Sequence, residues 1–192
     1  MSLHTSPTSM LKESLNDTLA AAKYCVEYRK TREEWQENSG GCLSYPAAIL
    51  LLSIIDAIGS YFKGDNTFKI KIDEKIESIN SKGGWQHFKI LNSKYFNQEL
   101  SQEFIKKLYK SFRSFLVHNS VIGKYSVIVM NNQAFKNGTK DQAFLTINHI
   151  SGEVVYIISL YELYELCYSA VQEFLKDADK VVPKSRQGKS FH

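Results

Sequence analysis

Arg113 and His118 stand five residues apart in the stretch KSFRSFLVHNS, Lys110 to Ser120. An arginine keeps its charge at any ordinary pH and presents a planar fork of N–H donors that suits phosphate oxygens. A histidine titrates near neutrality and can take or give a proton. A fixed cation and a titratable base so close in sequence have the chemistry to handle a phosphate. The plainer alternative is that both mark the solvated face of a core helix. Lys106, Lys107 and Lys110 do not decide between the two, because a basic stripe on a helix is commonly a face turned to water.

The segment from Asn97 to about Asn119 has the pattern of a long amphipathic helix. At about 100° per residue, Phe104, Ile105, Leu108, Phe112, Phe115 and Leu116 fall on one apolar arc. Lys106, Lys110 and Arg113 lie on the opposite side. On an ideal helix Arg113 and His118 are about 140° apart, so they are not stacked neighbours. Both lie outside the apolar arc, and a long arginine and a histidine at the helix end can still converge on one ligand.

A second charge stands out upstream. Asp56 is the single charged residue in PAAILLLSIIDAIGSYF, Pro46 to Phe62, which reads as a buried helix. A carboxylate on an apolar rod needs a partner, since an unpaired buried charge is costly. Arg113 is a reasonable one if the two helices are antiparallel neighbours. A purely structural ion pair is the competing reading. Ser53 and Ser60, at helical steps from Asp56, extend a thin polar line on the same rod.

The other elements are those that must position these groups. Met10 to Gln36 reads as a helix on Leu11, Leu15, Leu19, Ala22 and Val26, ended by ENSGGC. Ser44 is the expected N-cap of the apolar helix. FKIKIDEKIESIN, Phe68 to Asn80, fits strand or helix. Trp85 to Leu91 is expected to be a short helix. Three β-type runs follow, KYSVIVM, AFLTINHI and EVVYIIS, with a turn at Ser151 and Gly152 and a polar loop over Asn131 to Asp141. Ser159 and Glu162 form a capping-box pattern opening a last helix on Leu160, Leu163, Cys167, Val171 and Phe174. The expected fold is mainly α, a bundle of four or more helices with a small antiparallel β insertion over 124–158 before the last helix. Residues 1–182 are expected to form one domain and residues 183–192 a basic, disordered tail.

Composition sets the outer bounds. The chain has 192 residues, 43% hydrophobic and 23% charged, with a formal net charge of +4. That is a globular composition which permits an anionic partner without requiring one. Cys25, Cys42 and Cys167 give neither a disulfide framework nor a metal knuckle, and a cytoplasmic location is expected. His4, His87, His149 and His192 are scattered, so no metal or other cofactor is expected. Neither a Walker loop nor a Gly-x-Gly-x-x-Gly fingerprint occurs.

With its placement at the end of a basic amphipathic helix, RSFLVHN (Arg113 to Asn119) resembles the Arg-x4-6-His signature of HEPN domains. The resemblance covers roughly residues 10–62 and 97–178, and Asp56 matches the acidic or polar residue that many members carry in the second helix. It implies a metal-independent endoribonuclease that acts as a homodimer, its two motifs facing each other. In that reading Arg113, His118 and Asn119 are catalytic and Asp56 supports Arg113, while Lys106, Lys107 and Lys110 bind RNA. A toxin or a defence or stress effector, with a cognate antitoxin or other partner protein and no membrane, is the expected setting. Some family members do not catalyse, so a module binding RNA, a nucleotide or a protein is the alternative. A purely structural helical interaction protein is the third.

Overall fold

The computed structural model describes residues 6–80, 82–130, 144–150 and 152–190. Helix α1, Pro7–Glu27, starts where the Ser6 hydroxyl accepts from the Ser9 N–H at 3.2 Å and Pro7 takes the first turn. Its buried stripe contains Leu11, Leu15, Leu19, Ala22 and Val26, as the sequence period requires. The helix stops well short of Gln36. The Arg29 guanidinium donates to the carbonyls of Val26, Glu27 and Tyr28 at 2.9, 2.8 and 3.1 Å, which satisfies the exposed acceptors of the helix end. A four-residue helix α2, Arg32–Trp35, follows after that break.

Helix α3, Ser44–Ser60, buries Ala47, Ala48, Leu51, Leu52, Ile54, Ile55, Ile58 and Gly59. Ser44 is its first residue, and the N-cap position is Leu43, without a side-chain cap. The ambiguous segment after α3 resolves as strand. β1, Ile70–Ile72, pairs antiparallel with β2, Lys75–Glu77, around Asp73 and Glu74, both at positive φ. A run of 3₁₀ helix, Gly84–Asn92, then packs on α3.

The long basic helix is one rod with an interrupted ladder. It begins as α4, Gln102–Leu108, with Ser101 as N-cap. It widens into a π-type segment, Tyr109–Ser114, and resumes as α5, Phe115–Asn119. Ile105, Leu108, Phe112 and Leu116 are buried on the expected arc, and Phe104 and Phe115 are half-buried. Where the π segment loosens the ladder, the Ser111 carbonyl accepts from the Gly123 N–H at 2.7 Å. Ser120, at φ 56°, closes the rod in a left-handed turn.

Two expectations are corrected in the C-terminal part. The β insertion is mixed rather than antiparallel. β4, Leu145–Ile150, and β5, Glu153–Ser159, form the expected hairpin, but β3, Ser126–Val129, runs parallel to β5 on its other edge. The strand order is β3-β5-β4. Parallel pairing needs a long crossover, and the chain from residue 130 through β4 supplies one. Hairpin signals in sequence report only the local turn. Of that turn Ser151, and of the polar loop residues 131–141, lie outside the described residues.

Helix α6, Leu160–Val181, packs on α1 and α3 through Leu163, Cys167, Ala170, Val171 and Phe174. Ser159 sits at its N-cap, its hydroxyl bonded to the Glu162 carboxylate rather than to the backbone. The second correction concerns the basic tail. Val182–Lys184 form a 3₁₀ turn and Arg186–Lys189 a short helix α7. Ser185 caps α7 by accepting from the Gly188 N–H at 2.9 Å, and the Gln187 amide donates to the Ser60 carbonyl at 2.9 Å. Among the described residues the protein is thus mainly helical with two small sheets, and no helix is long and apolar enough to cross a membrane.

Gly59 marks the tightest joint in this arrangement. A Cβ there would overlap the carbonyl of His87 in the 3₁₀ run. Gly59→Ala should therefore destabilise the protein by about 1–3 kcal/mol despite the better helix propensity of alanine. A denaturation midpoint at or above the parent's would show that the two segments do not meet so closely.

Candidate functional site

Asp56 lies one turn before the end of α3, on the face that Gly59 leaves free of a side chain. The His87 backbone reaches α3 at Gly59, and the His87 ring reaches Asp56. His87 Nδ1 stands 2.7 Å from Asp56 Oδ1. Arg113, in the π segment, donates from Nη2 to Asp56 Oδ2 at 2.7 Å. Each carboxylate oxygen thus has its own nitrogen partner. All three side chains are largely covered, at 20% exposure for Asp56, 15% for His87 and 24% for Arg113. The guanidinium also stacks over the Tyr109 ring, 5.6 Å from its centroid.

Burial alone would push the Asp56 carboxyl up. The hydrogen bond from His87, the charge and hydrogen bond of Arg113 and the charge of His87 outweigh it and hold the group below the usual carboxylate range. Asp56 is therefore ionised at neutral pH, and His87 must present Nδ1 as a donor. The other ring nitrogen, Nε2, is sealed from solvent with no hydrogen-bond partner among the described residues. The neighbouring Gln86 Oε1 is in the same state.

The expected pairing of Asp56 with Arg113 is present. Ser53 and Ser60 do not join it, because each hydroxyl bonds back to its own helix, at Leu50 and Ala57. His118 and Asn119 lie exposed in the last turn of α5, and neither side chain makes a hydrogen bond among the described residues. The structure thus brings Asp56 and Arg113 into contact and leaves His118 and Asn119 free at the end of the same rod. Lys110 is exposed too. Lys106 lies over Trp85, 4.8 Å from its centroid, and Lys107 over Tyr156 at 4.7 Å.

His87 is the member that sequence reasoning missed. It looked like one of several scattered histidines, and its 3₁₀ run has no long apolar period to orient it. The signal was Gly59, three residues after Asp56 and hence on the same helix face, where the absence of a side chain admits another backbone. Among the described residues no group of three or more His, Cys, Asp and Glu side chains is placed to hold a metal ion. No family model, curated protein or solved structure matches the chain.

Removing the Asp56 charge should strand Arg113 and His87. Asp56→Asn should cost about 3–5 kcal/mol at pH 7, the scale for breaking a covered ion pair from one side. The folded carboxyl titrates below its unfolded value of about 3.9. The stabilisation is therefore complete above that value and lost as pH falls through the folded one. Denaturation midpoints of parent and variant should differ most near neutrality and draw together below pH ~4. A constant gap across that range would mean that Asp56 is not the titrating group.

Proposed function

We propose that the protein is a metal-independent endoribonuclease of HEPN type, built on a bundle of α1, α3, the α4–α5 rod and α6. The observation that carries this reading is the 2.7 Å contact from Asp56 to Arg113, on a rod whose next turn presents His118 and Asn119 to solvent. A carboxylate on α3 holds the arginine in place, and the titratable group stands where a polymer can reach it.

RNA brings its own nucleophile, the 2′-hydroxyl, beside the scissile phosphate. Cleavage needs that proton removed, an over-charged phosphorane stabilised and the leaving oxygen protonated. His118 serves as general base or acid. Arg113 spends one arm of its fork on Asp56, and its remaining N–H groups face the phosphate oxygens. Asn119 orients the histidine or donates to the phosphate. Lys106, Lys107 and Lys110 attract the backbone. One histidine supplies one proton-transfer group, whereas the reaction uses an acid and a base. A two-fold homodimer with the rods at the interface supplies both. A cytoplasmic toxin or defence effector with a cognate antitoxin is the setting in which such an activity needs restraint.

A second reading is favoured by the ties of the cations. Arg113 is held by Asp56 and stacked on Tyr109, and Lys106 and Lys107 rest on aromatic rings. A preorganised surface of this kind also suits a non-catalytic module that binds RNA, a nucleotide or a protein.

Incubation with unpaired RNA in EDTA should yield fragments with 2′,3′-cyclic phosphate ends. His118→Ala should lower the rate by roughly 10²–10⁴. Because His118 is exposed, its loss should leave the denaturation midpoint unchanged, which separates a catalytic effect from unfolding. RNA that stays intact across many sequences would transfer the site to the binding-module reading. Undiminished cleavage by His118→Ala would remove His118 from the reaction.

A further inference from the structure

A cavity of about 970 Å³ opens between the end of α3, the loop after the 3₁₀ run and the C-terminal turn with α7. None of Asp56, His87, Arg113 and His118 lines it. Lys63, Lys94, Lys180, Lys184, Arg186 and Lys189 do, together with the half-buried rings of Tyr61 and Phe68. The carboxylates at hand are few and engaged. Asp65, in the wall, accepts from the Thr67 N–H at 2.8 Å and its hydroxyl at 2.6 Å. Asp177 takes Lys94 at 2.5 Å and the Tyr95 hydroxyl at 3.1 Å. Lys184 acts on Asp65 and Lys180 on Asp177 only at longer range. Lys63, Arg186 and Lys189 have no ion-pair partner among the described residues.

This concentration of positive charge is built. The basic C-terminal residues are fixed by the Gln187 bond to Ser60 and by Ser185 capping α7. Gly188 packs so closely on the Val182 carbonyl that no side chain fits there. The short helix thus holds Arg186 and Lys189 at the cavity. Gathering like charges in one concavity is unfavourable unless an anion occupies it, and low-dielectric walls strengthen the attraction. The cations come from three separate segments and converge on one volume. Convergence matches several charges packed into one compact ligand better than a strand carrying one charge per nucleotide. The half-buried rings add an apolar surface on which a planar base can rest.

We propose that this cavity is a binding site for a nucleoside polyphosphate, its phosphates held by Lys63, Lys184, Arg186 and Lys189 and its base against Tyr61 and Phe68. The site does not depend on RNA cleavage at Arg113 and His118.

The test is titration calorimetry of the full chain with ATP in magnesium-free buffer, alongside AMP, inorganic tripolyphosphate and a ten-nucleotide oligouridylate. ATP should bind more tightly than the other three, and its affinity should fall as salt rises. Lys184→Glu combined with Arg186→Glu reverses two exposed charges and leaves the Gln187 and Ser185 contacts intact. That variant should lose at least about tenfold in ATP affinity, the scale of a lost charge-assisted hydrogen bond. Lys75→Glu combined with Lys124→Glu makes the same charge change outside the cavity and should leave ATP binding near the parent's. The proposal is overturned if ATP does not bind at millimolar concentration or if both double variants lose equally. Tripolyphosphate matching ATP would remove the base contact and overturn it too. An oligouridylate that binds more tightly than ATP would give the cavity to nucleic acid instead.

Discussion

A carboxylate set into an apolar helix has to be neutralised where it stands, and Asp56 makes three separate segments of the chain meet to do it. α3 carries the charge, the 3₁₀ run brings His87 and the widened turn of the long rod brings Arg113. Each donor takes a different carboxylate oxygen, so neither can be dropped without leaving a lone pair uncovered in a poorly solvated place. Gly59 is part of the same requirement, since the 3₁₀ run can lie on α3 only where no side chain intervenes. The joint between the apolar helix and its polar neighbours is therefore specified by electrostatics as much as by packing.

The π-type turn belongs to this joint. Such widened turns recur at functional sites in helices because they re-aim side chains at the expense of the regular ladder. Here Tyr109 opens the wide turn and Arg113 sits near its end. Tyr109 packs edge-on against Phe88, ring centroids 5.4 Å apart, and leaves no room for a side chain on Gly84. Its face carries the Arg113 guanidinium. One aromatic ring thus locks the 3₁₀ run against the rod and sets the plane of the arginine fork. The carbonyl that the wide turn releases at Ser111 is satisfied by Gly123, so the irregularity leaves no orphan there.

How much of this can be read from sequence depends on whether the responsible signal is local. The stripes of α1, α3, the long rod and α6 are periodic and legible. The Asp56–Arg113 pair is legible because one charge on an apolar helix demands a partner. His87 is not, since what selects it over the other histidines is a non-local approach at Gly59. The parallel alignment of β3 with β5 is hidden for a related reason, because the turn residues announce the β4–β5 hairpin and nothing local announces a crossover. The C-terminal residues look like a solvated tail from their charge. Only their contacts with Ser60 and Val182 reveal an ordered wall. The wide turn leaves no mark in the sequence pattern, because the apolar arc continues across it.

The two basic regions differ in how their charge is balanced. Around the rod, Arg113 is answered by Asp56, and Lys89 by Glu77 at 2.5 Å. Lys106 and Lys89 both lie over the Trp85 ring, at 4.8 and 5.1 Å from its centroid, and the ring attracts both without cancelling either charge. An anion arriving at Arg113 cannot take the whole fork. If it displaced Asp56, that carboxylate would be left with His87 alone in a site where burial already works against its charge. The anion must instead use the N–H groups that Asp56 leaves, approaching from the side away from α3. Asp56 thus does more than hold the arginine: by occupying one N–H edge of the guanidinium, it leaves only the remaining in-plane donors for any anion that binds there.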